Sequence, residues 1–175
     1  MDVRFLDVNT VPPEQLALWE RWLAADKRRR LERLPEKARL LSLCGDGLAR
    51  EMLSERLDVA PEELTFTCSA SGKPLTQGAY FSISHSGTLV GCVVSDGEVG
   101  LDVEYIRDVP QRLGCALEGW QTPEDFWHLW TRREAAIKCR GGTLGQWRRE
   151  DGEGLSFACP VVPQGYAAAV CEKNG

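Results

Sequence analysis

Val99-Gly100-Leu101-Asp102-Val103-Glu104 carries the alternation that decides the fold. On a strand, residues two apart share a face. Asp102 and Glu104 then project side by side, while Leu101 and Val103 turn the other way, into a core. Two carboxylates at that spacing repel unless a cation lies between them, and hard oxygen ligands of this kind suit Mg²⁺. A strand with a solvated polar face gives the same alternation, so spacing alone leaves both readings open.

Working outward, Val99 to Ile106 is one of several predicted strands. Leu64 to Cys68, Phe81 to Ser84 and Leu89 to Ser95 are rich in β-branched and aromatic residues and are separated by Gly, Ser and Asp. Further upstream the period lengthens. A first strand over Val3 to Val8 precedes helix from Pro13 to about Leu57, broken at Pro35, with Leu31, Leu34, Leu40, Leu43, Leu48 and Met52 forming a buried stripe. Downstream, Thr122 caps a helix over Pro123 to Cys139, with proline at its first position and acidic residues after it. Short strands follow near Leu155 to Cys159 and Tyr166 to Cys171, and Arg140 to Gly154 reads as a loop without a G-x-G-x-x-G pattern. The fold class is therefore α/β (α+β), a single unit of two small sheet-plus-helix halves, 1–96 and 97–175. No internal repeat marks the border.

Composition narrows the functional classes. At 175 residues, the chain can bury roughly 70% of its unfolded surface without staples. With 43% hydrophobic and 27% charged residues it matches ordinary globular proteins, not disordered or membrane ones. No apolar run is long enough to span a bilayer, and Met1 to Thr10 does not read as a signal peptide. The seven cysteines are odd in number and form no C-x-x-C pair, which predicts reduced, buried thiols in a cytoplasmic protein. A net charge of −5 argues against nucleic acid as a partner. Locally, however, Lys27, Arg28, Arg29, Arg30, Arg33, Lys37 and Arg39 make one basic stretch that suits an anionic ligand.

A second chemical stretch is Trp130-Thr131-Arg132-Arg133-Glu134-Ala135-Ala136-Ile137-Lys138. Glu134 and Lys138 stand four apart on one helix face. A surface ion pair in this order contributes only about 0.3–0.5 kcal/mol and no function. The alternative is a third carboxylate for a metal site, with Lys138 one turn on, directed at a phosphate. A third stretch, Gly72-Lys73-Pro74 followed by Phe81-Ser82-Ile83-Ser84-His85-Ser86-Gly87, supplies a cation, hydroxyls and an imidazole. It is neither a nucleophile elbow, since no G-x-S-x-G surrounds a serine, nor a P-loop, since the earlier glycine is missing.

Taken in order, these stretches resemble the Sfp-type 4′-phosphopantetheinyl transferase family. Its segments G-K-P, F-[NS]-[IL]-S-H-[ST], [VI]-G-[IVL]-D-[IVL]-E and W-[ST]-x-[KR]-E-A-x-x-K match Gly72 to Pro74, Phe81 to Ser86, Val99 to Glu104 and Trp130 to Lys138. The resemblance covers roughly residues 25 to 145, including a basic helical segment from Lys27 to Arg50 that contains Glu36 to Leu43. It implies a pseudo-twofold arrangement with the active site in the cleft between the halves. It further implies transfer of phosphopantetheine from coenzyme A to a serine of an apo acyl or peptidyl carrier protein, releasing 3′,5′-ADP, by a monomeric enzyme.

By the same resemblance, Asp102, Glu104 and Glu134 surround Mg²⁺ or Mn²⁺, Glu134 also helps deprotonate the serine, and Lys138 steadies charge on the phosphate and leaving group. Lys73 and His85 would hold the 3′-phosphate and diphosphate region, with Ser84 beside them and Lys27 and Arg33 adding counter-charge. Two departures stand out: Arg133 replaces the commoner lysine, and the interval Ile106 to Phe126 lacks the family's longer F-x-x-x-E helix. Rival readings are an inactive homologue that only binds coenzyme A or a nucleotide, and a magnesium-dependent nuclease or phosphatase.

Overall fold

A computed structural model describes residues 1–142 and 153–174. Its strands form two three-stranded antiparallel sheets and one short hairpin. The first sheet contains β1 (Asp2–Asp7), β4 (Tyr80–Ser86) and β5 (Leu89–Ser95), in the order β1-β5-β4. The second contains β6 (Val99–Tyr105), β7 (Leu155–Ala158) and β8 (Tyr166–Lys173), in the order β6-β8-β7. In each sheet the first strand pairs with the last, which pairs in turn with the one before it. The hairpin joins β2 (Thr67–Cys68) to β3 (Pro74–Leu75).

Helices α1 (Pro13–Trp22), α2 (Ala25–Leu31) and α3 (Glu36–Leu57) precede the hairpin, and α4 (Gln111–Gly114) and α5 (Pro123–Arg140) follow β6. The predicted helical stretch is thus interrupted at residues 23–24 as well as at Pro35. α3 is buried along most of its second half, and Gly47 lets the Trp19 indole lie directly against its backbone. The α5 N-terminus is a capping box: Thr122 Oγ1 accepts from the Asp125 amide at 3.1 Å, and Asp125 Oδ2 accepts from the Thr122 amide at 3.0 Å.

Every residue of β5 is buried because it is covered on both faces. Val90, Cys92 and Val94 pack with Leu48, Met52 and Leu53 of α3. Leu89 and Val93 pack instead with Leu101, Val103, Ala168 and Val170 of the second sheet. The far side of that sheet carries α5, where Ala135, Ala136 and Cys139 meet Ala169 and Cys171. The layers therefore run α3, first sheet, second sheet, α5. Leu101 and Val103 do point into a core, and Asp102 lies beneath α5 at 5% exposure, not on a solvated face.

Three expectations need correction. Leu34 is 41% exposed, because it falls in the turn after α2 instead of on a helical stripe. Cys68, Cys115 and Cys159 are exposed, and only Cys44, Cys92, Cys139 and Cys171 are buried thiols. The strand predicted from Leu64 shrinks to Thr67–Cys68, since the Arg50 guanidinium takes the Leu64 carbonyl at 2.9 Å and leaves it no ladder partner. Between β6 and α5 stands the four-residue α4, and Trp120 after it packs edge-on against Phe126. The loop read over Arg140 to Gly154 lies mostly outside the described residues, at 143–152. No helix among the described residues is long and apolar enough to cross a membrane.

Candidate functional site

The free edge of β6 lies against the inner face of β4, and three serines make the joint. Ser82, Ser84 and Ser86 alternate along β4 and so share one face. Their hydroxyl oxygens accept the amides of Leu101 at 3.1 Å, Val103 at 3.2 Å and Tyr105 at 3.0 Å. These side chains take the place of the backbone carbonyls a neighbouring strand would offer. Two of them also donate: Ser84 to Asp102 Oδ1 at 2.9 Å and Ser86 to Glu104 Oε2 at 2.8 Å. The joint between the sheets thereby orients both acidic side chains.

α5 brings the remaining groups. Gly100 faces it so closely that a Cβ there would collide with the Ala135 carbonyl oxygen and the Cys139 amide. This approach lets Lys138 reach across and donate to Asp102 Oδ1 at 2.7 Å and to Ser84 Oγ at 2.9 Å. Glu134 and Lys138 are not the surface ion pair that their spacing allows; Lys138 pairs with Asp102. Glu104 also receives Arg107 at 3.3 Å, whose guanidinium lies over the Trp127 ring.

Two buried carboxylate oxygens, Asp102 Oδ2 and Glu134 Oε1, have no hydrogen-bond partner. An unpartnered buried carboxylate is costly in the charged form. Burial accordingly pushes the Asp102 carboxyl above its usual range; Lys138 and Ser84 pull it down and the Glu104 charge opposes them. The Glu134 carboxyl is raised first by burial and then by the Asp102 charge, against the pull of Lys138 and Arg133. Hard oxygens left unsatisfied in a negatively charged recess fit a divalent cation. Even so, no group of three or more acidic, histidine or cysteine side chains among the described residues is gathered as a ready metal cage. Glu104 is turned to Ser86 and Arg107, and Asp102 to Lys138, which accounts for this.

The remaining predicted residues fall around this centre. His85 points to the opposite face of β4 from Ser84 and lines a 200 Å³ pocket with Lys27, Ser42, Gly45 and Asp46. Its ring is held below the ordinary histidine value, first by desolvation on its inner side and then by the Lys138 charge. Lys27 also lines a larger cavity of 580 Å³, whose walls include Arg30, Arg50, Phe66, Gly72 and Pro74. Arg33 sits in the exposed turn between α2 and α3 and lines neither pocket. Lys73 is next to that cavity in sequence, but its ammonium is turned to the carbonyls of Val99 and Lys138, both at 2.8 Å.

Several residues at the site escaped the sequence reading. Ser82 and Ser86 had a signal in their alternation with Ser84, whereas Gly100 had none beyond being a glycine inside a strand. Arg50 is buried at 4% exposure, pairs with Asp46 at 2.7 Å and holds the Pro61 carbonyl at 2.6 Å. Arg133 holds the Ala116 carbonyl at 2.7 Å, so it anchors the segment after β6 to α5.

No protein-family model matches the chain. Among curated proteins it is similar to the 4′-phosphopantetheinyl transferase AcpT of Salmonella typhimurium, with 37% identity over 115 residues, 55% of this chain and 58% of that protein. The slr0495 protein of Synechocystis sp. is 31% identical over 157 residues, 77% of this chain and 61% of its own length. The 4′-phosphopantetheinyl transferase Sfp of Bacillus subtilis is 26% identical over 139 residues, 70% of this chain and 62% of that protein. The chain spans about three-fifths of the length of these relatives. Over more than half of its length the chain is thus similar to curated 4′-phosphopantetheinyl transferases, the family its motifs resemble.

Proposed function

We propose that this protein transfers the 4′-phosphopantetheinyl group from coenzyme A to a serine of an apo acyl or peptidyl carrier protein. The observation that carries the reading is the meeting of Asp102, Glu134 and Lys138, from β6 and α5, around two unpartnered carboxylate oxygens. A nucleotide-binding homologue without activity has no use for such a charged, unsatisfied recess. A nuclease or phosphatase leaves without a role the 580 Å³ cavity, where Arg21, Lys27 and Arg30 stand beside Asp26 and Glu62 and Arg50 is paired with Asp46.

In this reading the carrier serine oxygen bonds to the phosphorus that bears pantetheine. The bond from that phosphorus to the oxygen bridging it to the nucleotide phosphate breaks, and 3′,5′-ADP leaves with the electron pair. Glu134 Oε1 takes the serine proton, a role suited to a carboxylate whose proton affinity burial raises. Lys138 leaves Asp102 for the diphosphate and steadies the charge that moves onto the leaving group. Asp102, Glu104 and Glu134 would hold Mg²⁺ or Mn²⁺, which supplies neutralisation of the diphosphate charge when bound. Lys27 supplies counter-charge to the phosphates, and His85, facing the same pocket, offers them a ring N–H donor. We further infer a cytoplasmic monomer, with 1–96 and 97–175 as pseudo-twofold halves and the substrate in the cleft between them.

The test is incubation with coenzyme A, Mg²⁺ and a panel of apo carriers, followed by intact mass spectrometry. A phosphopantetheine adduct that is lost with EDTA, Asp102→Ala and Glu134→Ala is the expected result. Coenzyme A binding without modification of any carrier would leave a binding protein in place of a transferase.

A further inference from the structure

Lys73 is the one cation of the 69–73 turn, and hydrogen bonds close that turn. The Ser69 amide donates to the Lys73 carbonyl at 2.8 Å, and Ser69 Oγ accepts from the Lys73 amide at 3.1 Å. Gly72 adopts φ +83°, a left-handed conformation that glycine takes without strain. Gly72 and Pro74 line the 580 Å³ cavity, while the Lys73 side chain leaves the hairpin for the second sheet. There it donates to Val99 O, at the start of β6, and to Lys138 O, in the last turn of α5.

The second of these bonds has a specific consequence. The carbonyls of a helix's last turn lack intrahelical partners and carry the negative end of the helix dipole, so an ammonium is well placed there. The other donor to Lys138 O, the Gly141 amide, is 3.4 Å away. Lys138 is therefore fixed at both ends, its carbonyl by Lys73 and its ammonium by Asp102 and Ser84. Two lysines from different parts of the chain form a relay from the cavity wall to the acidic recess.

We propose that Lys73 is a positioning residue, which ties the hairpin lining the cavity to the end of α5 and so sets the reach of Lys138, and is not a ligand of the 3′-phosphate. The burial that depresses its pKa follows from the same geometry, since its ammonium is turned from solvent to two carbonyls. This role deepens the transferase reading and rests on it.

The experiment compares the parent with Lys73→Met, which removes the donors, and Lys73→Gln, which keeps an N–H but no charge. Turnover and KM are measured at saturating carrier, and affinities for coenzyme A and 3′-dephospho-coenzyme A by calorimetry. A displaced catalytic group costs up to about 100-fold in rate, so a fall in kcat of at least about tenfold is expected for Lys73→Met, with Lys73→Gln between it and the parent. The preference for coenzyme A over the dephospho form stays within about twofold of the parent, since the 3′-phosphate contact is untouched. A collapse of that preference makes Lys73 a phosphate ligand and overturns the proposal, as does an unchanged kcat. If neither variant folds, Lys73 is a folding residue, and the positioning role falls as well. Hydrogen exchange at amides 139–142 in the ligand-free protein separates this proposal from the transferase reading. Should the parent modify no carrier, that reading fails alone, and exchange decides the relay: faster in Lys73→Met supports it, unchanged overturns it.

Discussion

Ser84 Oγ lies 2.9 Å from Asp102 Oδ1 and uses its whole hydrogen-bonding capacity at that spot: it donates to Asp102 and accepts from the Val103 amide and the Lys138 ammonium. Ser84 is thus both a joint between the sheets and the support for an acidic side chain. Ser82 performs only the first task, accepting the Leu101 amide.

That difference separates stability from function. Removing one partner from a buried donor costs about 1–3 kcal/mol. Ser82→Ala and Ser84→Ala are both expected to lose stability on this scale in urea unfolding. Only Ser84→Ala should also weaken Mg²⁺-dependent binding of coenzyme A, because only there does Asp102 lose its support. Equal binding in the two variants would show that the serine joint acts on the fold alone.

Gly100 gives a sharper packing test. A methyl group at this position meets the α5 backbone at Ala135 and Cys139, neither of which can move without the helix. Overpacking of a rigid contact costs about 1–3 kcal/mol and at times more. Gly100→Ala is expected at the top of that range in thermal unfolding. Its folded fraction should show a weakened Lys138–Asp102 pair, read as higher coenzyme A Kd. A melting temperature like the parent's would mean that α5 rides further from β6 than the contact at Gly100 implies.

Much of this arrangement is legible in the chain because it is local. Alternation at Leu101 to Glu104 predicts which side chains share a face, and Thr122 and Pro123 mark the start of α5. Spacing also puts Glu134 and Lys138 on one helical face, but it cannot tell which partner Lys138 takes. That choice depends on the distance between α5 and β6, set by Gly100, and on β4 lying beside β6, a contact between residues 18 or 19 positions apart. Lys73 illustrates the same limit: a lysine after a glycine suggests a phosphate ligand, and only the fold brings the end of α5 within its reach.

Glu134 allows a prediction with a defined sign. Its carboxyl is raised by burial and by the Asp102 charge, so the folded protein holds the proton more tightly than the unfolded chain does. Stability from this group is fully present below the unfolded value and is lost as pH rises through the folded one. In chelator, Glu134→Gln is expected to melt higher than the parent at neutral pH, with the gap closing as pH falls towards the unfolded glutamate value of 4.5. The same variant should abolish carrier modification, the trade of activity for stability common at strained sites. A gap that does not narrow on acidification would mean that the gain comes from the new amide's packing and not from a removed charge.

Arg50 tests the wall of the 580 Å³ cavity from inside the core. Its guanidinium pairs with Asp46 at 2.7 Å, holds the Pro61 and Leu64 carbonyls at 2.6 and 2.9 Å, and lies 4.6 Å from the centre of the Phe66 ring. Those contacts fix the segment after α3, from which Glu62, Leu64 and Phe66 line the cavity. Lysine keeps the charge but has neither the planar fork nor the stacking face, so Arg50→Lys is not conservative here. Breaking a buried pair costs about 3–5 kcal/mol, and a lysine that keeps Asp46 alone should lose somewhat less. Urea unfolding should show that loss, while hydrogen exchange should quicken over residues 61–66 before the rest of the chain opens. If exchange rises uniformly instead, Arg50 supports the whole core through Asp46, and the cavity wall owes its shape to Leu64 and Phe66 packing alone.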